Sequence, residues 1–291
     1  VFVTGGTGLI GRALVKRLIA DGHDITVLTR QSLDSSETVT YIQAIGDLNA
    51  HQDIVINLAG AGLADRRWSP AYKEEIRASR IDLTQALVSR LRNIGMPDLL
   101  ISGSAIGFYG ESKERDFSET DAVGSGFSAE LCRDWEASVS DIGSDSTRCV
   151  LLRTGVVLDR ALGAFPQMTQ SFRFGLASWM GQGDQWLSWI HLADMVGAIM
   201  HCIQNEAVSG PVNMTAPNPV THRAFSDEVR ITTTTFMSMG VPGWVMRLMV
   251  GEMADELLLT GQQVTPTKLL STGYEFRFGD LKAAIADLEA R

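Results

Sequence analysis

The amino-acid sequence predicts an α/β fold in which helices cover both faces of a parallel, doubly wound sheet. Along residues 1–215, short apolar runs typical of strands alternate with amphipathic segments of helical length, the order that parallel α/β sheets produce. A glycine-rich turn joins the first run directly to the first helix. After residue 158 the alternation changes, which predicts a smaller C-terminal lobe beside the sheet.

The first element is an apolar strand that runs into a glycine-rich turn and then into a helix. In the sequence VFVTGGTGLIG, the glycines satisfy both GxxGxxG and GxGxxG. Such a turn lets a pyrophosphate approach the backbone at the positive end of a helix. Residues 12–20 continue as an amphipathic helix, and residues 24–28 form a second buried strand. This βαβ unit is the context that a dinucleotide fingerprint requires, and it predicts a Rossmann-like domain.

The end of the second strand indicates which dinucleotide is bound. Thr29 and Arg30 stand where a carboxylate would hold the ribose 2′-hydroxyl of NAD. A carboxylate would repel a 2′-phosphate, whereas a guanidinium binds one through charge-assisted hydrogen bonds. The sequence therefore favours NADP(H). The alternative is that Arg30 is an ordinary solvated cation at the end of a strand.

The remaining elements continue the alternation. We predict further strands at residues 39–45, 53–58, 98–102, 148–158 and 210–215, and helices at residues 69–93, 128–142 and 190–203. Ser69 and Pro70 start the first of these helices as N-cap and first residue. Residues 1–158 and 190–215 form the predicted NADP-binding domain. Residues 159–189 and 216–291, with two or three helices after residue 215, form the predicted substrate-side lobe, whose aromatic residues suit a pocket wall or a core.

Composition excludes several classes of function. The net charge of −9 argues against a nucleic-acid or anionic-membrane binder, because the overall field would repel phosphates. Three widely spaced cysteines fit neither a disulfide framework nor a zinc motif. The chain opens on a strand without a charged leader, and no apolar run has the length of a membrane span. We therefore expect a cytoplasmic protein with a small-molecule ligand and no metal.

Five motifs in order carry a family resemblance. They are TGGTGLIG at residues 4–11, NLAG at 57–60, SGSA with YG at 102–110, RTGVVL at 153–158 and WIHLAD at 189–194. The chain resembles the extended and atypical short-chain dehydrogenase/reductases over nearly its whole length. More narrowly, it is similar to the sugar-nucleotide epimerase branch of the NAD-dependent epimerase/dehydratase proteins. Many such relatives pair helices into dimers, so the resemblance allows a homodimer.

The resemblance implies roles for individual positions. Ser104 corresponds to the catalytic Ser or Thr that hydrogen-bonds the reacting oxygen of the substrate. Arg30 would bind the 2′-phosphate. The other implied cofactor contacts are Gly5, Thr7, Gly8, Leu9, Ile10 and Gly11 at the pyrophosphate, Asp47 and Leu48 at the adenine, Leu58, Ala59, Gly60 and Ser102 beside the ribose, and Arg153, Thr154 and Val156 near the nicotinamide.

One departure from the family puts the mechanism in doubt. Relatives transfer a proton with a Tyr whose pKa is lowered by a Lys four residues later, but here Phe127 and Leu131 occupy these positions. Neither side chain can transfer a proton or carry charge. In addition, Arg80 replaces an Asn found in many relatives.

Three explanations are open. Tyr109 could supply the proton, or alternatively His191, the only His within a matched motif, whose ordinary pKa suits the task. Otherwise the chain is an NADP(H)-binding regulatory protein without redox turnover. Our prediction is an NADP(H)-dependent oxidoreductase or epimerase that exchanges hydride with a hydroxyl or carbonyl carbon of a small polar substrate, such as a nucleotide sugar. Asp194 is interpreted as a residue at the start of a helix, explained by capping and the helix dipole, and Glu252, Asp255 and Glu256 as a solvated helical face rather than a metal site.

Overall fold

The computed structural model describes residues 1–140 and 147–290. Its strands are β1 Phe2–Thr4, β2 Ile25–Leu28, β3 Val39–Ile42, β4 Ile54–Asn57, β5 Leu99–Ala105, β6 Asp116–Phe117, β7 Arg148–Thr154, β8 Val156–Leu158, β9 Leu176–Met180, β10 Trp186–Leu187, β11 Trp189–His191, β12 Gly210–Met214, β13 Val220–Thr221, β14 Met237–Val241 and β15 Gln263–Val264. Its α-helices are α1 Leu9–Ala20, α2 Pro70–Ala78, α3 Ile81–Ile94, α4 Phe127–Ala137, α5 Ala164–Met168, α6 Leu192–Gln204, α7 His222–Thr232, α8 Gly243–Val250, α9 Thr267–Ser271 and α10 Leu281–Glu289.

The central sheet is parallel and doubly wound, as the sequence predicts. In the described ranges it has seven strands in the order β12-β7-β5-β4-β1-β2-β3. β1 pairs with both β2 and β4, so the chain winds outward in one direction through β2 and in the other through β4. In such sheets ligands bind beyond the carboxyl ends of the strands, at the point where the winding reverses. That point is the edge formed by the ends of β1 and β4.

Hydrophobic side chains cover both faces of the sheet. On one face, α1 and α6 pack buried residues such as Leu14 and Ile199 against Val3 and Ile56. On the other face, Leu87 and Leu91 of α3 pack against Phe2 and other strand residues. Because each face has its own apolar layer, the sheet is rigid and its carboxyl edge stays open to a ligand.

A second core lies outside the sheet. It is built from α5, α7, α10 and the short strands between them, and its buried residues are Phe165, Phe172, Trp189, Phe225 and Ile285, among others. Three of the aromatic residues within residues 159–189 of the predicted substrate-side lobe are therefore core residues, which favours the core alternative over the pocket wall at these positions. Four helices, α7 to α10, follow residue 215 in the described part of the chain, so the prediction of two or three was wrong.

Two predicted elements are each divided in the structure. The helix predicted at residues 69–93 is α2 and α3, broken at Ser79 and Arg80. The strand predicted at residues 148–158 is β7 and β8, broken at Gly155, where a Cβ would lie 2.6 Å from the backbone oxygen of Ser188. β8 leaves the sheet to pair with β11, which is why the helix predicted from residue 190 begins at Leu192.

Other helix and strand boundaries differ from the predicted ones by a few residues. The strand predicted at residues 39–45 ends at Ile42, and the one predicted at residues 98–102 extends to Ala105. The helix predicted at residues 128–142 is α4, which begins at Phe127 and ends at Ala137. Residues 141 and 142 of that prediction lie outside the described residues.

Asp194 lies in the first turn of α6, where its charge suits the helix dipole as interpreted, but it does not cap the helix. His191 is the N-cap of α6, and its Nδ1 accepts a hydrogen bond from the Ala193 amide at 3.1 Å. The buried Asp194 carboxylate instead accepts hydrogen bonds from the backbone amides of Arg277 and Phe278, both at 2.8 Å. Asp194 therefore anchors the chain that leads into α10. None of the helices in the described ranges is long and apolar enough to cross a membrane.

Candidate functional site

The glycine-rich turn forms an anion cradle at the end of β1. Gly5 has φ +71°, a left-handed conformation, and a Cβ there would lie 2.7 Å from the carbonyl group of Leu58. Only glycine fits both restrictions. α1 begins at Leu9. Among the described residues, no side chain caps this helix, and its first turn contains no acidic residue. Its first amide groups and its positive dipole end are thus available to a phosphate.

Buried polar side chains shape the loop that faces this cradle. Thr4 Oγ1 donates to Asn57 Oδ1 at 2.6 Å, and Asn57 Nδ2 donates to Thr84 Oγ1 at 2.8 Å. Thr4 Oγ1 also accepts a hydrogen bond from the Ala59 amide at 3.1 Å. These bonds hold the segment from Leu58 to Gly60 beside the glycine-rich turn. The structure thereby brings together the residues expected at the pyrophosphate and at the ribose.

Arg30 and Asp47 lie at the next strand ends along the same edge. Arg30 is exposed after β2 and makes no ion pair with any described carboxylate. Asp47 is exposed and accepts a hydrogen bond from the Ala44 amide, whereas the side chain of Leu48 is buried. Arg30 is therefore available to an external anion, as a 2′-phosphate contact requires.

A buried charged network lies at the ends of β5, β7 and β12. The strand register aligns Ser104, Arg153 and Asn213 across the sheet. Ser104 Oγ donates to Glu136 Oε1 at 2.6 Å, and Arg153 binds both oxygens of Glu136 at 2.9 Å. Burial acts to lower the pKa of Arg153, but the hydrogen bonds and charge of Glu136 raise it overall. The cation is thus retained inside the protein.

Glu136 is a site residue that the sequence analysis did not identify. It lies on α4 beside the buried Trp135, with only 11% of its side chain exposed. The sequence gives no signal for it, because neighbouring positions of an amphipathic helix face different directions and a Glu beside an apolar residue is usually solvated. The sequence also does not indicate its partner, since Arg153 lies on a different strand.

Tyr109 belongs to the same network. Its hydroxyl donates to Asn213 Oδ1 at 2.6 Å and accepts a hydrogen bond from Arg153 Nη1 at 3.0 Å. Its ring stacks on Phe117, and 2% of the residue is exposed. Burial raises the pKa of Tyr109 to about 12, against the smaller lowering effect of Arg153. The structure thus brings Tyr109 and Ser104 together through Arg153, with the phenol held protonated at neutral pH.

His191 lies elsewhere, against α10. Its ring centroid is 4.0 Å from that of Phe278, and its Nε2 lies 3.4 Å from Asp287 Oδ2. Because Nδ1 accepts the Ala193 amide, the proton of the neutral ring must be on Nε2. Burial lowers the pKa of His191. The described contacts of this ring are with Ala193 of α6, with Phe278 and with Asp287 of α10, and not with the network around Ser104.

The positions of the missing Tyr and Lys are filled by an apolar cluster. Phe127 packs edge-to-face on Trp68 with ring centroids 5.0 Å apart. Leu131 is buried with Tyr72 and with Met253 from the C-terminal segment. The first turn of α4 therefore contacts hydrophobic side chains where relatives carry proton-transfer groups.

Glu252 and Asp255 are exposed, which agrees with their interpretation as a solvated helical face, whereas Glu256 is partly buried and the interpretation was wrong for this residue. Glu256 accepts hydrogen bonds from the Phe127 and Ser128 amides, each at 3.2 Å, and caps the N-terminus of α4. Glu252 binds Lys73 at 2.5 Å, and Asp255 binds Arg247. No group of three or more metal-ligating side chains is placed to hold an ion in the described ranges.

A cavity of about 470 Å³ lies between the loop after β5 and this C-terminal segment. Its lining includes Gly107, Ser128, Arg247, Glu256 and Gln262. Polar and charged groups from both lobes meet there, which suits a polar ligand rather than an apolar one.

The residues expected near the nicotinamide differ in their roles. Arg153 holds the buried network, whereas Thr154 Oγ1 donates to the Leu152 backbone oxygen and the Val156 amide donates to the Ser188 oxygen. Ser102 Oγ is buried and has no hydrogen-bond partner among the described residues. Thr154 and Val156 thus lie at the turn where β7 ends and β8 departs from the sheet.

Two family models match the chain. The one described as the NAD dependent epimerase/dehydratase family matches residues 1–133. The other, described as a domain of unknown function, DUF1731, matches residues 241–288. Two proteins similar to this one over 98% of its length are the epimerase family protein Mb2239 of Mycobacterium bovis, 37% identical and covered over 96% of its own length, and the chloroplastic epimerase family protein SDR39U1 homolog of Arabidopsis thaliana, 35% identical and covered over 85%.

Solved structures agree with these matches. Human epimerase family protein SDR39U1, solved with NADPH, superposes with a TM-score of 0.91 at 31% identity, covering 99% of this chain and 98% of that one. A nucleoside-diphosphate sugar epimerase from Corynebacterium glutamicum superposes with a TM-score of 0.79 at 30% identity, covering 98% of this chain and 57% of that one.

Proposed function

This chain belongs to the NAD-dependent epimerase/dehydratase family, and we propose that within it the protein is an NADP(H)-dependent oxidoreductase or epimerase. Its substrate is a small polar molecule with a hydroxyl or carbonyl carbon, such as a nucleotide sugar. The observation that carries the proposal is one sheet edge that holds both an anion cradle and a hydrogen-bonded Ser104.

The cofactor half of the proposal is supported by fit. A phosphate at the first turn of α1 would meet free amide donors and the positive end of the helix dipole. Arg30, exposed and without a described ion-pair partner, would bind the 2′-phosphate that distinguishes NADP from NAD. Human SDR39U1, which is similar over nearly the whole chain, was solved with NADPH.

The reaction half rests on Ser104 and Glu136. When bound, the nicotinamide supplies or accepts the hydride. Ser104 Oγ already donates to Glu136 and also lies beside the Cys132 thiol, so an oxygen lone pair would accept the proton of a substrate hydroxyl. A proton leaving the substrate would pass to Ser104, while that of Ser104 would pass to Glu136. In the opposite direction the same two groups would return it.

Proton transfer through Ser104 and Glu136 agrees better with the geometry than transfer through Tyr109 or His191. The Tyr109 hydroxyl is enclosed by Asn213 and Arg153, and its pKa of about 12 makes it a weak acid at neutral pH. His191 packs against Phe278, which lies just before α10. We therefore assign Tyr109 to positioning Arg153, and His191 to capping α6.

Nicotinamide absorbance tests the proposal directly. Protein with NADPH would be offered a panel of carbonyl compounds, and protein with NADP⁺ a panel of nucleotide sugars. NADPH should be consumed in the first case or formed in the second with at least one compound. Ser104→Ala should abolish this turnover, whereas Ser138→Ala, whose hydroxyl bonds only the backbone of α4 at Trp135, should not. NADPH binding without turnover on the whole panel would instead favour a regulatory NADP(H)-binding protein, in line with Phe127 and Leu131.

A further inference from the structure

Residues 231–249 carry more than half of the large apolar side chains that are exposed in the described ranges. Phe236 is 81% exposed and Trp244 is 67% exposed. Phe174, also exposed, lies beside them, because the Phe236 ring lies against Gly175, the next residue. The remaining exposed members are Ile231, Met237, Met239, Leu248 and Met249. We call these eight side chains the apolar face, and a patch of this kind marks a contact site for another molecule.

β14 has one side toward the core and the other toward solvent. α7 covers one side of the β9–β14 sheet, where Ala177 packs with Phe225 in the second core. The register aligns Met239 with Ser178, the neighbour of Ala177, so Met239 is on the other side of the sheet. There it is 45% exposed. α8, which follows β14, has no buried residue, so it extends the exposed surface.

β14 is also an edge strand. In the described ranges β9 is its only strand neighbour. The bonds on that side are made by Met237 through its amide and by Val241 through its carbonyl oxygen. Alternate residues of a strand point their backbone groups to opposite edges, so those of Ser238 and Gly240 have no described backbone partner. An edge of this kind binds a further strand.

The composition of this region favours a copy of the same chain as the partner. Residues 231–246 contain no charged side chain, and the next cation, Arg247, is paired with Asp255. A nucleic acid, a charged peptide or an anionic membrane would find no opposite charge there. Edge strands that avoid self-association carry charges or prolines, and β14 carries neither. Two copies therefore meet here without like-charge repulsion.

The exposed area is close to what one partner of a dimer contributes. Aromatic side chains have about 150–250 Å² each, so the three of the apolar face expose roughly 350–550 Å² together. The aliphatic and methionine side chains bring the apolar face toward the ~800 Å² per partner of a standard interface. The apolar face is thus large enough to hold two copies together.

We propose that β14 pairs with β14 of a second copy, antiparallel about a two-fold axis at Met239, and that the apolar face is the interface of a homodimer. The axis places Ser238 of each copy opposite Gly240 of the other, and residues paired in this way exchange both of their backbone hydrogen bonds. The two Met239 side chains then lie side by side. A two-fold interface is closed, so association stops at two copies.

This interface uses a strand, whereas the family resemblance implies paired helices. The exposed side chains of the long helix α3 are mostly polar, which favours the strand; they include Asp82, Gln85, Ser89, Arg92 and Asn93. The apolar area that a stable dimer buries lies instead on β14 and α8.

Charge substitutions at the axis test the pairing. Molar mass would be measured by light scattering over a range of protein concentrations for the wild type, Met239→Lys and Met239→Glu. Leu270→Lys is the matched control, since Leu270 is 46% exposed against 45% for Met239 and lies on α9. Circular dichroism would verify that each variant is folded.

The wild type and Leu270→Lys should be dimers at about 10 μM. Met239→Lys and Met239→Glu should each weaken the dimer by at least about tenfold, because like charges then face each other across the axis. An equimolar mixture of the two variants should recover the dimer, since Lys then faces Glu.

Three results would overturn the proposal: a wild type that is monomeric at about 100 μM, a dimer that Met239→Lys does not weaken, or a mixture of variants that does not recover it. Sedimentation of a monomeric wild type with vesicles of phosphatidylcholine and phosphatidylglycerol would assign the apolar face to a lipid surface instead.

Discussion

The Glu136–Arg153 ion pair offers a quantitative test of the buried network. Arg153 and Glu136 expose 5% and 11% of their side chains, and two hydrogen bonds of 2.9 Å join them. Glu136→Gln would leave the guanidinium buried without a counter-charge. Removing one partner of a buried pair costs about 3–5 kcal/mol, so the melting temperature should fall by roughly 10 °C for a chain of this size.

A double-mutant cycle identifies the cause. The free energy of unfolding would be measured in urea, with circular dichroism as the signal, for Glu136→Gln, Arg153→Met and the double variant. The double variant should be more stable than Glu136→Gln, because it buries no uncompensated charge. Asp255→Asn is the control: it breaks the exposed Arg247–Asp255 pair and should lower the free energy of unfolding far less than Glu136→Gln does. A cost below about 1 kcal/mol for Glu136→Gln, or a double variant less stable than both single ones, would refute the reasoning.

Three further outcomes are expected. Burial lowers the pKa of His222 from 6.5 to about 4. As the pH falls below 6.5, His222 is therefore protonated in the unfolded chain before it is protonated in the folded one. The free energy of unfolding should consequently drop by about 3 kcal/mol between pH 6.5 and pH 4. Urea titrations at several pH values should show a shallower drop for His222→Gln, and parallel curves would contradict this account. Gly5→Ala should lower both stability and NADPH affinity, since its Cβ would meet the Leu58 carbonyl. Gly22 also has a positive φ, +85°, but no atom lies within 4 Å of where its Cβ would be, so Gly22→Ala should lower stability alone. Equal NADPH affinity of the two variants would count against the cradle. Arg30→Asp should shift the ratio of NADPH to NADH dissociation constants toward NADH by at least about tenfold, and an unchanged ratio would mean that Arg30 does not contact the 2′-phosphate.

The parts of the fold that could be predicted are those that depend on neighbouring residues. The turn around Gly5 and the N-cap at Ser69 each depend on a few consecutive residues, so the residue types at those positions are enough to predict them. Alternating apolar runs predicted the parallel sheet for the same reason. A pattern confined to a single helix or strand predicts that element correctly when its intrinsic propensity and its tertiary packing favour the same structure.

The parts that could not be predicted depend on distant partners. The break at Ser79 is tied to Ala61, and the division at Gly155 reflects the close approach of Ser188. Glu136 and Glu256 acquire their roles only when α4 meets β7 and the C-terminal segment. Much of the candidate site could not be predicted for the same reason, since it is assembled at the ends of several strands whose residues are far apart in the sequence.

The Glu256 cap also has a consequence for synthesis of the chain. The carboxylate that completes the first turn of α4 lies 129 residues after Phe127. At about 5–20 residues per second, the ribosome delivers it roughly 6 to 26 s later. A nascent chain thus holds the start of α4 uncapped until the C-terminal segment emerges, and the nucleotide-binding half reaches its final form only when the last part of the protein has been made.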